Sequence, residues 1–237
     1  MKICALSDIH GQLIEIHDSC DIVCICGDIL PLSIQLNGKK SRRWLTDSFL
    51  PWCDNLPCDK VFYIAGNHDF FFYNHRNDYS SYNVSTIKTK YLYCESIEYK
   101  GLKIYGTPWC RPFYNWAFNL NEAEQTAFYN SIESKKQLSN IDILLTHDAP
   151  YGVSDVLLQR DYRYSDGKHI GNKAITDLIK ETNPHYCFHG HLHSSNHDLE
   201  MLNNTHIYNV SILDEYYNAT FKPLYITISE DKNETVK

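Results

Sequence analysis

Five short apolar runs in this chain, at residues 2–6, 21–26, 60–65, 141–145 and 186–188, each stop at a carboxylate, an amide or an imidazole. Runs this short and this continuous read as strands buried on both faces, and helix-like stretches separate them, so the fold class is α/β. The endings are Ser7-Asp8-Ile9-His10-Gly11, Gly27-Asp28, Gly66-Asn67-His68-Asp69, Thr146-His147-Asp148 and His189-Gly190-His191-Leu192-His193. Strand ends in a sheet sandwich converge, so such a chain gathers these groups in one place. The preference of turns for Asp, Asn and Gly accounts for any one ending. It gives no reason for histidine at four of the five, whereas a divalent metal of hard or borderline type asks for this mixture of oxygen and imidazole donors.

The last ending sets a local problem. In a straight strand His189, His191 and His193 would share one face. Gly190 permits a tight turn or a close backbone approach that swings His191 and His193 onto a rim and leaves His189 behind. Two imidazoles at such a rim can serve one metal or two.

Around these runs the spacing predicts a short helix over 12–20 and an amphipathic helix over 41–55 carrying Trp44, Leu45, Phe49 and Trp52. It predicts strands over 91–96, 97–99 and 102–105, then a helix over 121–138 with Asn121 as N-cap and Glu124 three residues on. A helix over 173–181 and strands over 206–210 and 224–229 complete the pattern. Residues 70–93, rich in Tyr, Asn and Ser, read as a surface excursion that could form a lid, and the last eight residues as frayed. No repeat, linker or shift in composition divides the chain, so one domain over 1–237 is expected.

The formal charge of −7 and pI near 5.9 argue against stable nucleic-acid binding. The run Lys39-Lys40-Ser41-Arg42-Arg43 reads as a solvated helix start. Nine scattered cysteines do not make a disulfide framework, and Cys24 and Cys26 read as packing inside a strand. The first apolar run is too short for a signal peptide and no later one reaches the length of a membrane span, so a cytoplasmic location without membrane contact is expected.

The five endings, in this order over residues 8–193, resemble the five motifs of the calcineurin-like metallophosphoesterase superfamily. Tyr105-Gly106-Thr107-Pro108-Trp109, with Trp116 and Phe118-Asn119 beyond it, resembles the Gly-Ser/Thr-Pro-Trp block of the small metallophosphoesterase-domain family. Residues 146–152 resemble that family's His-Gly-Pro-Pro-x-Gly stretch, with Asp148 and Ala149 departing from it. The resemblance implies a four-layer αββα sandwich of two mixed sheets flanked by helices. It implies that Asp8, His10, Asp28 and His193 hold one divalent ion and that Asp28, Asn67, His147 and His191 hold another, Asp28 bridging the two. Manganese, iron and zinc all suit such ligands, with manganese favoured.

Further implications concern chemistry. His68 would stabilise or protonate the leaving oxygen, Asp69 is a candidate to orient it, and His189 falls outside the ligand set. The activity implied is hydrolysis of a small-molecule phosphodiester, a cyclic nucleotide or other nucleotide-like ester, by a hydroxide held between the ions. Ile29-Leu30-Pro31-Leu32 after Gly27-Asp28, and Asp69 after His68, depart from the protein-phosphatase pattern. A nuclease of the same superfamily and a scaffold that has shed catalysis are the competing readings; the first needs a basic surface, the second should have lost ligands that this chain keeps. Trp109, Phe113, Tyr114 and Trp116 are expected mostly in the core, with nucleobase stacking as the alternative. Arg111 reads equally as a surface side chain or a phosphate partner.

Overall fold

The computed structural model describes residues 1–82, 84–157, 168–228 and 234–236. In chain order its strands are β1 (Lys2–Leu6), β2 (Cys20–Cys26), β3 (Cys58–Ile64), β4 (Thr89–Tyr91), β5 (Glu95–Tyr99), β6 (Leu102–Thr107), β7 (Ile143–Thr146), β8 (Tyr186–His189), β9 (Glu200–Leu202), β10 (Thr205–Asn209), β11 (Leu224–Ile228) and β12 (Glu234–Val236). The helices are α1 (Gly38–Trp44), α2 (Leu50–Asn55), α3 (Phe70–Asn74), α4 (Glu122–Tyr129), α5 (Ile132–Leu138) and α6 (Lys173–Thr182).

The strands form two six-stranded mixed sheets, in the orders β12-β11-β1-β2-β3-β4 and β5-β6-β7-β8-β10-β9. β1 to β4 run parallel, as do β6, β7, β8 and β10, while β11, β5 and β9 lie antiparallel to their inner neighbours. The two-residue period of a strand sends alternate side chains to opposite faces. Ile3, Ala5, Ile22, Cys24, Phe62 and Ile64 meet Ile104, Ile143, Leu145, Phe188 and Tyr208 in one core between the sheets. Cys4, Leu6, Val23, Ile25, Val61, Tyr63, Leu144, Cys187 and Ile207 point the other way and join the apolar sides of the flanking helices, among them Phe49, Leu50, Ile175 and Leu178. Burial on both faces is why the central strands read as unbroken apolar runs.

Several local expectations meet a competing contact. Residues 12–19 are not helical, because Ile16 is drawn into the core and the Ile14 carbonyl accepts the Trp52 indole N–H at 3.0 Å. The helix expected over 41–55 starts earlier, where Asn37 Oδ1 caps Lys40 N. One π-helical turn, Leu45–Phe49, interrupts it just before Pro51, a residue that cannot donate to the helical ladder. The basic run lies on α1 with its Lys and Arg side chains in solvent, as a solvated helix start should.

The helix expected over 121–138 has its capping box, with Glu124 N donating to Asn121 Oδ1 and Asn121 N to Glu124 Oε2. It breaks in two because Ser131 caps a new start. Residues 70–93 carry α3, a 3-10 turn and the edge strand β4; much of the segment lies at the surface, and Phe71, Phe72 and Tyr91 anchor it in the core beside Tyr63. The strand expected over 91–96 splits at Cys94, whose φ of 54° turns the chain from the first sheet to the second. Glu200–Leu202 is a strand that its sequence does not announce. Of the last eight residues, 230–233 and 237 lie outside the described ones, while Glu234–Val236 pair with β11 and are not frayed. All nine cysteines are free thiols, and Cys24 and Cys26 pack between the sheets.

Candidate metal centre

The carboxyl ends of β1, β2, β3, β7 and β8 converge, and backbone hydrogen bonds tie their loops together. Asp8 N donates to the Gly27 carbonyl, His10 N to the Asp28 carbonyl and Gly190 N to the His147 carbonyl. Four of the expected ligands pay for this convergence with left-handed backbone: Asp8 at φ 56°, His10 at 41°, Asp28 at 51° and His191 at 68°. Non-glycine residues adopt this region at a cost of order 1–3 kcal/mol each, and such strain gathers at functional sites.

All seven expected metal ligands come together. Asp28 Oδ2 lies 3.4 Å from His147 Nε2, 3.6 Å from His10 Nε2 and 3.9 Å from His68 Nε2. Asn67 Oδ1 lies 2.9 Å from His147 Nε2 and 2.8 Å from His191 Nδ1. Asp8 Oδ1 is 3.2 Å from His193 Nε2. Donors sharing one metal at bonds of roughly 2.1 Å stand about 3 Å apart, so these separations fit two neighbouring donor sets. Potential ligand atoms of Asp8, His10 and His193 cluster, as do those of Asp8, Asp28 and His147. Asp8 is common to both clusters, and Asp28 stands between His10 and His147.

Three details test whether these residues suit a cation. Both ring nitrogens of His10 are buried with no hydrogen-bond partner, an arrangement too costly to keep unless something else satisfies them. Burial lowers this imidazole to about 4, against the pull of Asp28 and Asp8, so it is neutral and free to ligate. His147 Nδ1 pairs with the Cys26 carbonyl at 2.8 Å and His193 Nδ1 with the Asp214 carbonyl at 2.9 Å. A carbonyl only accepts, so each Nδ1 carries a proton and each Nε2 faces the centre, where it ligates once its own proton has left. Finally, burial opposes charge on His147 and His193, yet Asp28 and Asp8 outweigh it and push them up to about 10 and about 9. Cation binding at neutral pH thus displaces protons and weakens as pH falls.

Glycines leave room that side chains would fill. A Cβ on Gly190 would lie 2.1 Å from both Asp8 Oδ2 and Ser7 Oγ, and one on Gly66 would lie 2.3 Å from Asp28 Oδ1. Gly190 therefore serves close approach, while His191 makes the left-handed turn. Gly190→Ala is expected to displace Asp8 and lower metal affinity by about 10- to 100-fold, measured by titration on folded protein. His189 is fully buried, with Nδ1 against the Gly190 carbonyl. His189→Ala should keep its metal and lose about 1–3 kcal/mol of unfolding free energy in denaturant melts of loaded protein.

Asp69 and His68 part company. Asp69 is buried and accepts from the amides of Gly66, Ile29 and Leu30, lacing the loop after β2 to that after β3; it does not orient His68. The ring partner of His68 is Gln35, whose Oε1 lies 2.8 Å from His68 Nδ1. Arg111 Nε lies 3.4 Å from the buried Asp148, a protein partner. Trp109 is core, whereas Trp116 lies over His68 with ring centroids 4.1 Å apart. Sequence reasoning missed Ser211, whose hydroxyl donates to Asp8 Oδ2 at 2.8 Å, and Tyr217, edge-on to His10 at 4.9 Å. β10 reads Thr-His-Ile-Tyr-Asn and is no apolar run, so the rule that found the other endings passes over Ser211.

A cavity of about 230 Å³ opens over the centre, lined by Asp28, Asn67, His68, His191, His193 and Glu215 with Phe113, Tyr114, Trp116 and Tyr217. Two facing mixed sheets with acid, amide and imidazole donors at their joined ends define a metallophosphoesterase. The chain belongs to the calcineurin-like phosphoesterase family, whose profile matches residues 1–195. That family comprises metal-dependent phosphoester hydrolases with a dinuclear centre. Among curated relatives, metallophosphoesterase domain-containing protein 1 of Homo sapiens is 24% identical over 96% of this chain and 71% of its own. Solved structures with this fold include the phosphopantetheinyl hydrolase of Mycobacterium tuberculosis, at TM-score 0.56 and 14% identity over 91% of this chain and 90% of that one. TT1561 of Thermus thermophilus matches at TM-score 0.53 and 16% identity over 88% of each chain. Among the described residues no helix is long and apolar enough to cross a membrane.

Proposed function

We propose that this chain is a phosphodiesterase, a single metallophosphoesterase domain over 1–237 that hydrolyses a small phosphodiester of nucleotide-like kind. The observation that carries the hydrolytic reading is the pair of unpartnered, buried nitrogens on His10 within a converging set of oxygen and imidazole donors. Asp8, His10, Asp28 and His193 would hold one ion, and Asp28, Asn67, His147 and His191 the other. Two divalent ions held there, manganese the favoured metal, would supply polarisation of the phosphoryl oxygens and an acidified water. The chain's own part is to hold the phosphorus in line between that water and His68. As the ester P–O bond breaks, its electron pair goes to the leaving oxygen, where a proton that His68 has first taken up on Nε2 from solvent neutralises it.

The cavity supports the diester preference. Among the described residues its lining offers no Lys or Arg to meet the second charge of a monoester, and Glu215 adds a negative one. Its four aromatic walls suit an uncharged ester substituent, a flat base included. On this reading bis-p-nitrophenyl phosphate and cyclic nucleotides exceed p-nitrophenyl phosphate in kcat/KM by about tenfold or more. Equal or reversed values at matched metal would overturn the diester assignment.

A further inference from the structure

Gln35 has no place in the five strand endings, yet it makes the side-chain hydrogen bond that fixes the ring of His68. It lies in the turn between Pro31 and the Asn37 cap of α1. Its own N–H donates to the Pro31 carbonyl, and Asn37 N to Ile34 O, so the backbone beneath it is held. Trp116 covers His68 at 4.1 Å and His10 meets it edge-on at 5.0 Å, which leaves the ring few ways to turn. With Nδ1 on Gln35, Nε2 faces the cavity, 3.9 Å from Asp28 Oδ2 and beyond hydrogen-bond reach of it.

We propose that Gln35 is the positioning residue of His68, aiming Nε2 at the leaving oxygen by accepting the Nδ1 proton throughout the reaction. This rests on the reading of His68 as the group that assists departure. An imidazolium donates from both nitrogens, so only the amide oxygen of Gln35 can face Nδ1 at that moment. That oxygen accepts the hydrogen bond without taking the proton. The ring thus gives its proton from Nε2 alone and ends as the Nδ1–H tautomer that Gln35 already holds. A carboxylate acceptor, expected at Asp69, is instead committed to three backbone amides.

The test uses manganese-loaded full chain and two diesters that differ in leaving group, bis-p-nitrophenyl phosphate and diphenyl phosphate. Phenolate is the poorer leaving group and needs the proton more. Gln35→Met keeps the length of the side chain and removes the acceptor, whereas Gln35→Glu keeps the acceptor. In Gln35→Met the ratio of kcat on diphenyl to that on bis-p-nitrophenyl phosphate is expected to fall about tenfold, and in Gln35→Glu to stay within about threefold of the parent. Combined with His68→Ala, Gln35→Met should lower the ratio no further. An unchanged ratio in Gln35→Met, or a further fall on top of His68→Ala, overturns the positioning role. If His68→Ala itself leaves the ratio unchanged, the assignment of His68 fails, whatever Gln35 does.

Discussion

Asp28→Asn is expected to strip the centre of both ions and to lower kcat on bis-p-nitrophenyl phosphate by at least about a thousandfold, roughly 4 kcal/mol of transition-state stabilisation. The carboxylate lies 3.4 Å from His147 and 3.6 Å from His10, one in each of the proposed donor sets, so on that reading its charge serves both. Burial works against that charge, yet His147 and His68 hold the carboxyl well below the usual carboxylate range, leaving it ionised. The amide is nearly isosteric, and its Oδ1 can still accept the His68 backbone N–H, which Asp28 Oδ1 takes at 2.8 Å. Loss of function therefore need not follow from loss of fold, and circular dichroism of the metal-free variant separates the two. A variant that keeps two ions and a tenth of the activity would remove Asp28 from its bridging role.

The second large effect belongs to His68→Ala. It is expected to lower kcat by about 100- to 1000-fold while leaving metal content as it was. Its ring nitrogens are spoken for differently from those of the ligands: Nδ1 by Gln35, and Nε2 by the cavity. Substrate binding should change far less than turnover, because the proton is needed only as the ester bond breaks. A fully active His68→Ala enzyme would remove the residue from the mechanism, and one that loses its metal would make it a ligand.

What the sequence made legible, and what it hid, follow from one physical distinction. Chemistry that sits at the end of a buried strand announces itself, since a polar residue after an unbroken apolar run is conspicuous; Asp8, Asp28, Asn67, His147 and His191 all appear this way. Groups that act from loops between elements do not. Gln35 lies in a turn, Tyr217 in a loop closed by Asp214, and neither stands in a periodic pattern. Asp69 shows the opposite error, in which adjacency along the chain suggested contact. Its φ/ψ turns the carboxylate to Gly66, Ile29 and Leu30, while His68 points the other way. Fold-level misses have the same origin: residues 12–19 have helix-like spacing, but Trp52 claims the Ile14 carbonyl and the core claims Ile16.

The strain in the centre fits this account. Asp8, His10, Asp28 and His191 all occupy left-handed backbone, and the Gly27, Gly66 and Gly190 positions leave space that a Cβ would take from Asp28, His147 or Asp8. Such a cost is stable only where the surrounding contacts over-determine it. Ser211 on Asp8 and the Asp214 carbonyl on His193 supply some of those contacts from beyond residue 195, where the family profile ends.

The most direct measurement is the metal content of the purified chain, by elemental analysis, together with turnover of bis-p-nitrophenyl phosphate before and after chelation. Two divalent ions per chain, with activity lost on chelation and restored by manganese, are what the converging donors predict. Full activity in protein stripped of metal, or a loaded enzyme holding a single ion, would contradict the dinuclear centre on which the mechanism stands.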